Sequence, residues 1–331
     1  MTAIGFPRAL QALRAAGEPT RLRVVALLKR GELTVKDLTA VLGQSQPRIS
    51  RHLKLLTDAG LVERAPEGAW AYYRLAGEGG EAELMRAVLA LVDAGDEVLK
   101  RDEERYLEVR AAQAEAAATY FKENAAEWDR LRSLHVAEAA VEVAIRAAVG
   151  ERPFGSMIDL GTGTGRMLEV LAPLYERAVG IDSSPDMLAV ARANLAKAGI
   201  AHARVQHGDI FHPPVAGQTF ELVVLHQVLH YLDDPGRAIA EAARLVRPGG
   251  RLLIVDFAPH SLEFLREEHA HRRLGFSHEQ MAGWLGTAGI DVVSANDLAA
   301  PGGRADGLTV TVWLGRDRRM LIAGAAGGAA A

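Results

Sequence analysis

The residues best placed for chemistry lie mid-chain. Met157-Ile158-Asp159-Leu160 reads as a short strand, and Gly161-Thr162-Gly163-Thr164-Gly165 follows it directly, opening a helix at Arg166. Glycines there allow a tight turn and bring backbone close to a ligand at a helix N-terminus. The next strand-like run, Ala178-Val179-Gly180-Ile181, ends in Asp182, an acid placed to accept hydrogen bonds from both hydroxyls of a ribose. A nucleotide ligand is expected, and these features alone leave dinucleotide enzymes open. The Gly-x-Gly-x-Gly spacing, in place of Gly-x-Gly-x-x-Gly, turns the choice away from them, as does Asp159 just before the glycines. Further on, Glu221–Leu225 runs into His226-Gln227-Val228-Leu229-His230-Tyr231. Such sheets bind ligands beyond their carboxyl edge, so His226, His230 and Tyr231 are expected to rim the pocket, a structural role being the alternative for the histidines. His271 joins them from a charged segment read as a cap. His269 and His271 point to different faces of a helix, so a shared metal is not expected. No catalytic residue is assigned.

A second kind of chemistry lies near the N-terminus. Met1–Ala76 carries 12 Lys and Arg against 6 Asp and Glu, while Gly77–Ala331 carries 26 against 36. A basic head on an acidic body suggests that the head meets a polyanion. Thr34 with Asp37 reads as a capping box, and Val35, Leu38, Val41 and Leu42 give that helix one apolar face. Gly43 ends it. Ser45 offers an N-cap to a second helix, with Ile49, Leu53 and Leu56 on its apolar stripe and Gly60 at its close. Gln46, Arg48, Ser50, Arg51 and Lys54 project from the other face. Gln and Arg can read adenine and guanine edges, while Lys suits phosphate. Leu61–Ala65 and Trp70–Leu75 flank a turn at Glu67-Gly68, a β-wing on which Arg64 adds a further cation. Helix, turn, basic helix and hairpin in that order point to DNA.

These residues carry two resemblances. Glu18 to Leu75, with Pro19-Thr20-Arg21, Ser50-Arg51-His52-Leu53 and Leu56-Thr57-Asp58-Ala59-Gly60-Leu61-Val62, resembles the ArsR/SmtB-type winged-helix regulators. That resemblance implies a homodimer on inverted-repeat operators, usually as a repressor. Thr34 and Lys36 stand where the family's thiolate sensors have cysteines, and the segment around Glu83–Lys100 has no His, so no metal site is expected. The run from Tyr120 to Leu314 resembles class I S-adenosylmethionine-dependent methyltransferases, through the glycine loop, Asp182-Ser183-Ser184-Pro185-Asp186-Met187-Leu188, Gly208-Asp209-Ile210 and Arg247-Pro248-Gly249-Gly250. It implies that Gly161, Gly163 and Gly165 meet the methionine end of S-adenosylmethionine (SAM) or its product S-adenosylhomocysteine (SAH). Asp159 and His226 belong to the same cofactor set. Asp182 would hold the ribose, Met187 would line the adenine pocket, Asp209 would accept from the adenine amino group, and the Ile210 N–H would meet the ring. Tyr120 and Trp128 match an aromatic lid.

The elements that must position these groups follow. Short β-like runs alternating with helices indicate an α/β chain: an N-terminal winged helix-turn-helix plus a C-terminal Rossmann-like seven-stranded methyltransferase fold. Expected boundaries are 1–100 for the winged-helix and dimerisation domain, 101–119 for a helical linker, 120–315 for the methyltransferase domain and 316–331 for a frayed Ala/Gly tail. From Glu81 to Leu99 apolar residues recur near helical spacing, suiting a dimer-forming helix, and Arg101–Ala118 is a charged, Ala-rich helix former. The 331 residues are 49% hydrophobic and 24% charged, which excludes general disorder. No apolar run approaches the roughly 18–20 residues of a membrane span, and no signal-peptide core is evident, so a cytoplasmic protein without membrane contact is expected. The chain has no cysteine. Thiolate nucleophiles, thiolate metal sites and arsenic methylation through thiolates drop out together.

The functional expectation is a regulator that binds double-stranded operator DNA and responds to SAM or SAH. The alternative is an active small-molecule methyltransferase whose winged helix is a tethered repressor or dimerisation module.

Overall fold

The computed structural model describes residues 4–67, 70–76, 79–93, 95–124, 138–217, 219–299 and 308–319. The chain forms two compact units, Met1–Ala116 and Ala117–Ala331.

The first unit holds α1 (Phe6–Ala16), α2 (Pro19–Leu28), β1 (Leu33–Thr34), α3 (Val35–Leu42), α4 (Gln46–Asp58), β2 (Val62–Glu67), β3 (Trp70–Leu75), α5 (Gly80–Leu91) and most of α6 (Glu97–Asn124). The expected capping box starts α3: Thr34 Oγ1 accepts the Asp37 N–H at 3.2 Å, and Asp37 Oδ2 accepts the Thr34 N–H at 2.9 Å. Such a cap stabilises a helix by about 1 kcal/mol. Gly43 ends α3 at φ 64, a left-handed turn that frees the chain to start α4. Ser45 occupies the N-cap of α4 but its side chain makes no cap bond; Pro47 in the first turn presets the backbone there. Ile49, Leu53 and Leu56 of α4 pack into one core with Val24, Val25, Leu38 and Val41. The wing pairs as β1-β3-β2.

Two expectations change here. The helix foreseen from Glu81 through Lys100 is broken after Leu91. Asp93 Oδ1 accepts the Gly95 N–H, and Asp96 Oδ1 accepts the Val98 N–H, each at 2.8 Å. Short acids that bond nearby backbone compete with a continuing helix and cap the next one. Residues 101–119, foreseen as a linker, form the middle of α6, and Asp102 and Gln113 among them bond into the first unit. Arg23 Nε and Nη2 donate to Asp102 Oδ2 and Oδ1 at 2.6 and 2.5 Å, and Gln113 Nε2 donates to Asp37 Oδ1 at 2.8 Å.

The second unit contains the end of α6, α7 (Glu138–Val149), β4 (Phe154–Leu160), α8 (Arg166–Val170), β5 (Tyr175–Asp182), α9 (Pro185–Lys197), β6 (Ala203–His207), β7 (Phe220–His226), a 3₁₀ turn (Leu229–Tyr231), α10 (Pro235–Leu245), β8 (Val246–Phe257), α11 (Phe264–Glu268), α12 (His278–Thr287), β9 (Ile290–Leu298) and β10 (Val310–Asp317). The seven strands run β6-β5-β4-β7-β8-β10-β9. The first five are parallel, and β10 is antiparallel to both β8 and β9. Alternate side chains enter opposite cores: Met157, Leu222, Val224, Leu253 and Val255 on one face, Ile158, Leu160, Val223, Leu225 and Ile254 on the other. Burial on both faces explains why these strands read as continuous apolar runs. The expected tail boundary moves, because Arg316 and Asp317 still pair with β9. Residues beyond Arg319 lie outside the described ones. Among the described residues, no helix is long and apolar enough to cross a membrane.

Candidate functional site

In the first unit, Ser45, Gln46, Arg48, Ser50, Arg51 and Lys54 are all exposed on the face of α4 opposite its buried stripe, and Arg64 is exposed on the wing. The same helix buries His52, whose Nδ1 lies 3.6 Å from Glu18 Oε2. Burial holds that imidazole below its usual value, and Arg21, Arg48 and Arg51 push the same way. What α4 presents outward is therefore a cationic, hydrogen-bonding surface suited to phosphates and base edges.

In the second unit the glycine loop is built from bare backbone. Gly161 and Thr162 both donate to the Ile181 carbonyl, at 2.8 and 2.9 Å, so β5 holds the loop down. Gly161, Gly163 and Gly165 have φ of 74, 52 and 84, a region side chains disfavour. A Cβ on Gly165 would stand 3.2 Å from Ala191 Cβ of α9, which shows how closely that helix approaches. Asp182 is fastened to the loop. Its Oδ2 accepts the Gly163 N–H at 2.8 Å, and its Oδ1 accepts the Ser184 N–H at 2.9 Å. Burial raises the Asp182 carboxyl above its ordinary value, against the opposing pull of these backbone donors. Asp159 is buried at 1% exposure and takes the Thr162 hydroxyl at 2.6 Å. It braces the loop from beneath.

Other expected ligand residues gather around the same strand ends. Gly208 donates to the Asp182 carbonyl at 3.0 Å, setting Asp209 and Ile210 beside that acid. Asp209 is exposed, with Oδ1 accepting the Phe211 N–H at 2.9 Å and Oδ2 lying 3.1 Å from His212 Nδ1. Arg237 bonds the other His212 nitrogen at 2.9 Å and lies over the Phe211 ring. Met187 is buried at the start of α9. A carboxylate for a ribose, a cradle without side chains and a second carboxylate for an exocyclic amine fit an adenosyl ligand.

The expected pocket rim divides. His226 is half-buried and, with Gln227, Glu142, Arg166 and Met167, lines a depression beside the loop. Arg166 is held there by Glu142 and Glu169, at 2.7 and 2.9 Å. Tyr231 is also half-buried. His230 and His271, expected on the rim, are instead inside, with 1% and 8% exposure. The backbone N–H groups of Arg272 and Arg273 both donate to the His230 carbonyl, at 2.8 and 3.0 Å, which folds the 258–276 segment onto the turn. His230 Nδ1 meets Asp256 Oδ1 at 2.7 Å. Tyr120 OH bonds His269 Nδ1 at 2.9 Å, and Phe121 packs edge-on against Tyr231, centroids 4.8 Å apart. Trp128 lies outside the described residues. Sequence reasoning missed Phe121 and Asp256. A signal existed for Asp256, the lone acid ending the apolar run Leu252–Val255.

Comparison with known proteins adds the following. Residues 18–64 match the family described as bacterial regulatory protein, arsR family, and residues 158–254 match the methyltransferase domain family. The arsenical resistance operon repressor of Escherichia coli is 45% identical over 73 residues, 22% of this chain and 62% of that protein. The methyltransferase YcgJ of Bacillus subtilis, itself uncharacterized, is 28% identical over 104 residues, covering 31% of this chain and 41% of that one. An uncharacterized 37.1 kDa protein of transposon TN4556 in Streptomyces fradiae is 32% identical over 167 residues, 50% of this chain and 47% of the other. The chain thus spans between 41% and 62% of the length of these relatives.

Proposed function

From a chain that joins an arsR-family helix-turn-helix domain to a methyltransferase domain, we propose a DNA-binding transcriptional regulator whose operator affinity depends on SAM or SAH held in the second unit. The observation that carries the reading is α6. Its residues up to Gln113 bond into the winged helix, and its Tyr120 and Phe121 pack within the second unit beside the cap. One helix thus runs from the first unit into the second. The cofactor set proposed is Gly161, Gly163, Gly165, Asp182, Met187, Asp209 and Ile210, with Asp159 as support. Exposed Phe6 and Leu13 on α1 and Leu91 on α5 support a homodimer formed through these helices.

The second reading, an active enzyme merely tethered to a repressor, draws support from the complete glycine loop and its bonded Asp182. Operator titrations on the protein's own promoter separate the two. DNA affinity is measured without ligand, with SAM, with SAH, and with Asp182→Ala. The sensor requires a difference of about tenfold, or 1.4 kcal/mol, that Asp182→Ala abolishes. Identical affinity in every arm eliminates it and leaves the tethered enzyme.

A further inference from the structure

We infer that His230, oriented by Asp256, is the proton acceptor for a phenolic hydroxyl methylated in the second unit. This rests on the reading of that unit as a SAM-binding methyltransferase and names the class of its acceptor. The carboxylate is immobile: Asp256 Oδ2 accepts the Leu229 N–H at 3.0 Å, and Oδ1 accepts the Phe257 N–H at 2.8 Å as well as the His230 ring at 2.7 Å. An ionised carboxylate only accepts, so Nδ1 carries the ring proton and Nε2 presents a lone pair. Nε2 is buried and, among the described residues, has no partner within hydrogen-bond reach. His52 and His260 also leave ring nitrogens without a hydrogen-bond partner, and what sets His230 apart is the fixed acid on its other nitrogen. One nitrogen tied to a fixed acid and the other with its lone pair uncommitted is the arrangement of a general base.

Its surroundings point to an aromatic acceptor. The rings of Tyr231, His271 and Phe257 have centroids 4.1, 4.2 and 4.9 Å from that of His230, and Phe121 continues the wall behind Tyr231. Such walls favour a flat apolar body with one polar edge. The titratable groups facing His230 are Asp256 from β8, Tyr231 from its own turn, and His271 and His260 from the cap. His260 is lowered to about 4, by burial first and then by His230 and Arg266, so it stays neutral and does not compete for the proton.

Two further features tie this cluster to the glycine loop and to the cap. Val228, on the turn leading to His230, packs so closely on Gly161 that a Cβ there would stand 3.0 Å from Val228 Cβ and collide with a γ-carbon. Among the described residues, two non-glycines have positive φ: Gln227 at 49 and Ala270 at 56. Gln227 precedes the turn, and Ala270 sets His271 over His230. Strained backbone of this kind marks clamps and switches, and the 258–276 cap is the element that must lift to admit an acceptor.

In the step itself, the acceptor O–H gives its proton to His230 Nε2 and Asp256 stabilises the imidazolium. SAM supplies the methyl group: the O–C bond forms as the C–S bond breaks, and the C–S electron pair leaves on sulfur.

The test uses the full chain, SAH and 4-nitrophenol. Calorimetry comes first, and SAH should bind wild type and His230→Gln equally within about twofold. A wild type that binds no SAH overturns the methyltransferase reading and this inference with it. With SAH bound, at a pH where free 4-nitrophenol is mostly protonated, wild type should raise the phenolate absorbance and His230→Gln should not. An unchanged spectrum with SAH bound overturns the base assignment alone. With labelled SAM, transfer to 4-nitrophenol should fall about 100-fold or more in His230→Gln. Imidazole should partly restore it in His230→Ala, and equal transfer by His230→Gln overturns the assignment. Should both His230 variants lose SAH, Asp256→Asn decides: its acid-side rate limb moves to lower pH if the dyad holds, and an unmoved limb overturns it.

Discussion

Gly161→Ala tests how the ligand loop is built. The residue has φ 74, where an alanine costs about 1–2 kcal/mol. Its new Cβ would stand 3.0 Å from Val228 Cβ and overlap a γ-carbon, overpacking that typically costs about 1–3 kcal/mol. The sum is about 2–5 kcal/mol. It falls on the loop that β5 holds through Ile181 and that carries Gly163 to Asp182. SAH affinity by calorimetry should drop at least tenfold, and the melting transition of the second unit should move down. Val228→Ala removes both γ-carbons and so should recover part of the steric share, leaving the 3.0 Å approach of the two Cβ atoms and the backbone share. The double variant should therefore bind SAH more tightly than Gly161→Ala alone, with a coupling of about 1–2 kcal/mol. Additivity within about 0.5 kcal/mol would refute the packing argument.

Three further outcomes are expected. In the proposed site only an ionised Asp182 would accept from both ribose hydroxyls, and burial raises its carboxyl, so SAH binding should be full above that raised value and lost as pH falls through it, starting above the ordinary carboxylate range; Asp182→Asn should bind weakly with no such pH dependence. Asp102→Ala strips the bidentate partner from Arg23 and should destabilise the first unit by about 2–4 kcal/mol in chemical denaturation, leaving the second unit's transition in place. Lys54→Ala should weaken binding to promoter DNA and reduce the slope of log affinity against log salt by about 1; an unchanged slope would remove Lys54 from the phosphate contacts.

Where the determinants were local, the sequence was readable. The capping box of α3 needs only Thr34 and Asp37, and the buried stripe of α4 repeats within one helix. The strand runs of the second unit are apolar because both faces are covered, and Asp182 ends its strand beside the glycine loop. The break after Leu91 was hidden because Val92, Val98 and Leu99 continue the apolar spacing, while what ends the helix is Asp93 and Asp96 bonding to nearby N–H groups. The partnership of His230 with Asp256 is a tertiary contact between a turn and a strand end. The burial of His230 and His271 depends on two backbone N–H groups of the cap, which carry no side-chain signature.

Asp37 divides its work between two oxygens. Oδ2 serves Thr34 and the start of α3, while Oδ1 takes Gln113 of α6. Gln113 can therefore let go without unwinding α3, at the cost of one hydrogen bond to a carboxylate, about 1.5–3 kcal/mol. Asp102, eleven residues earlier and so about 16 Å back along the helix, is gripped at both oxygens by Arg23. Between the two, Arg110 Nη2 donates to the Glu32 carbonyl at 3.0 Å, and Tyr106 and Val109 pack on the same core, so the span is held along its length. Freeing this span therefore requires several contacts to break together, and α3 keeps its cap when Gln113 alone lets go.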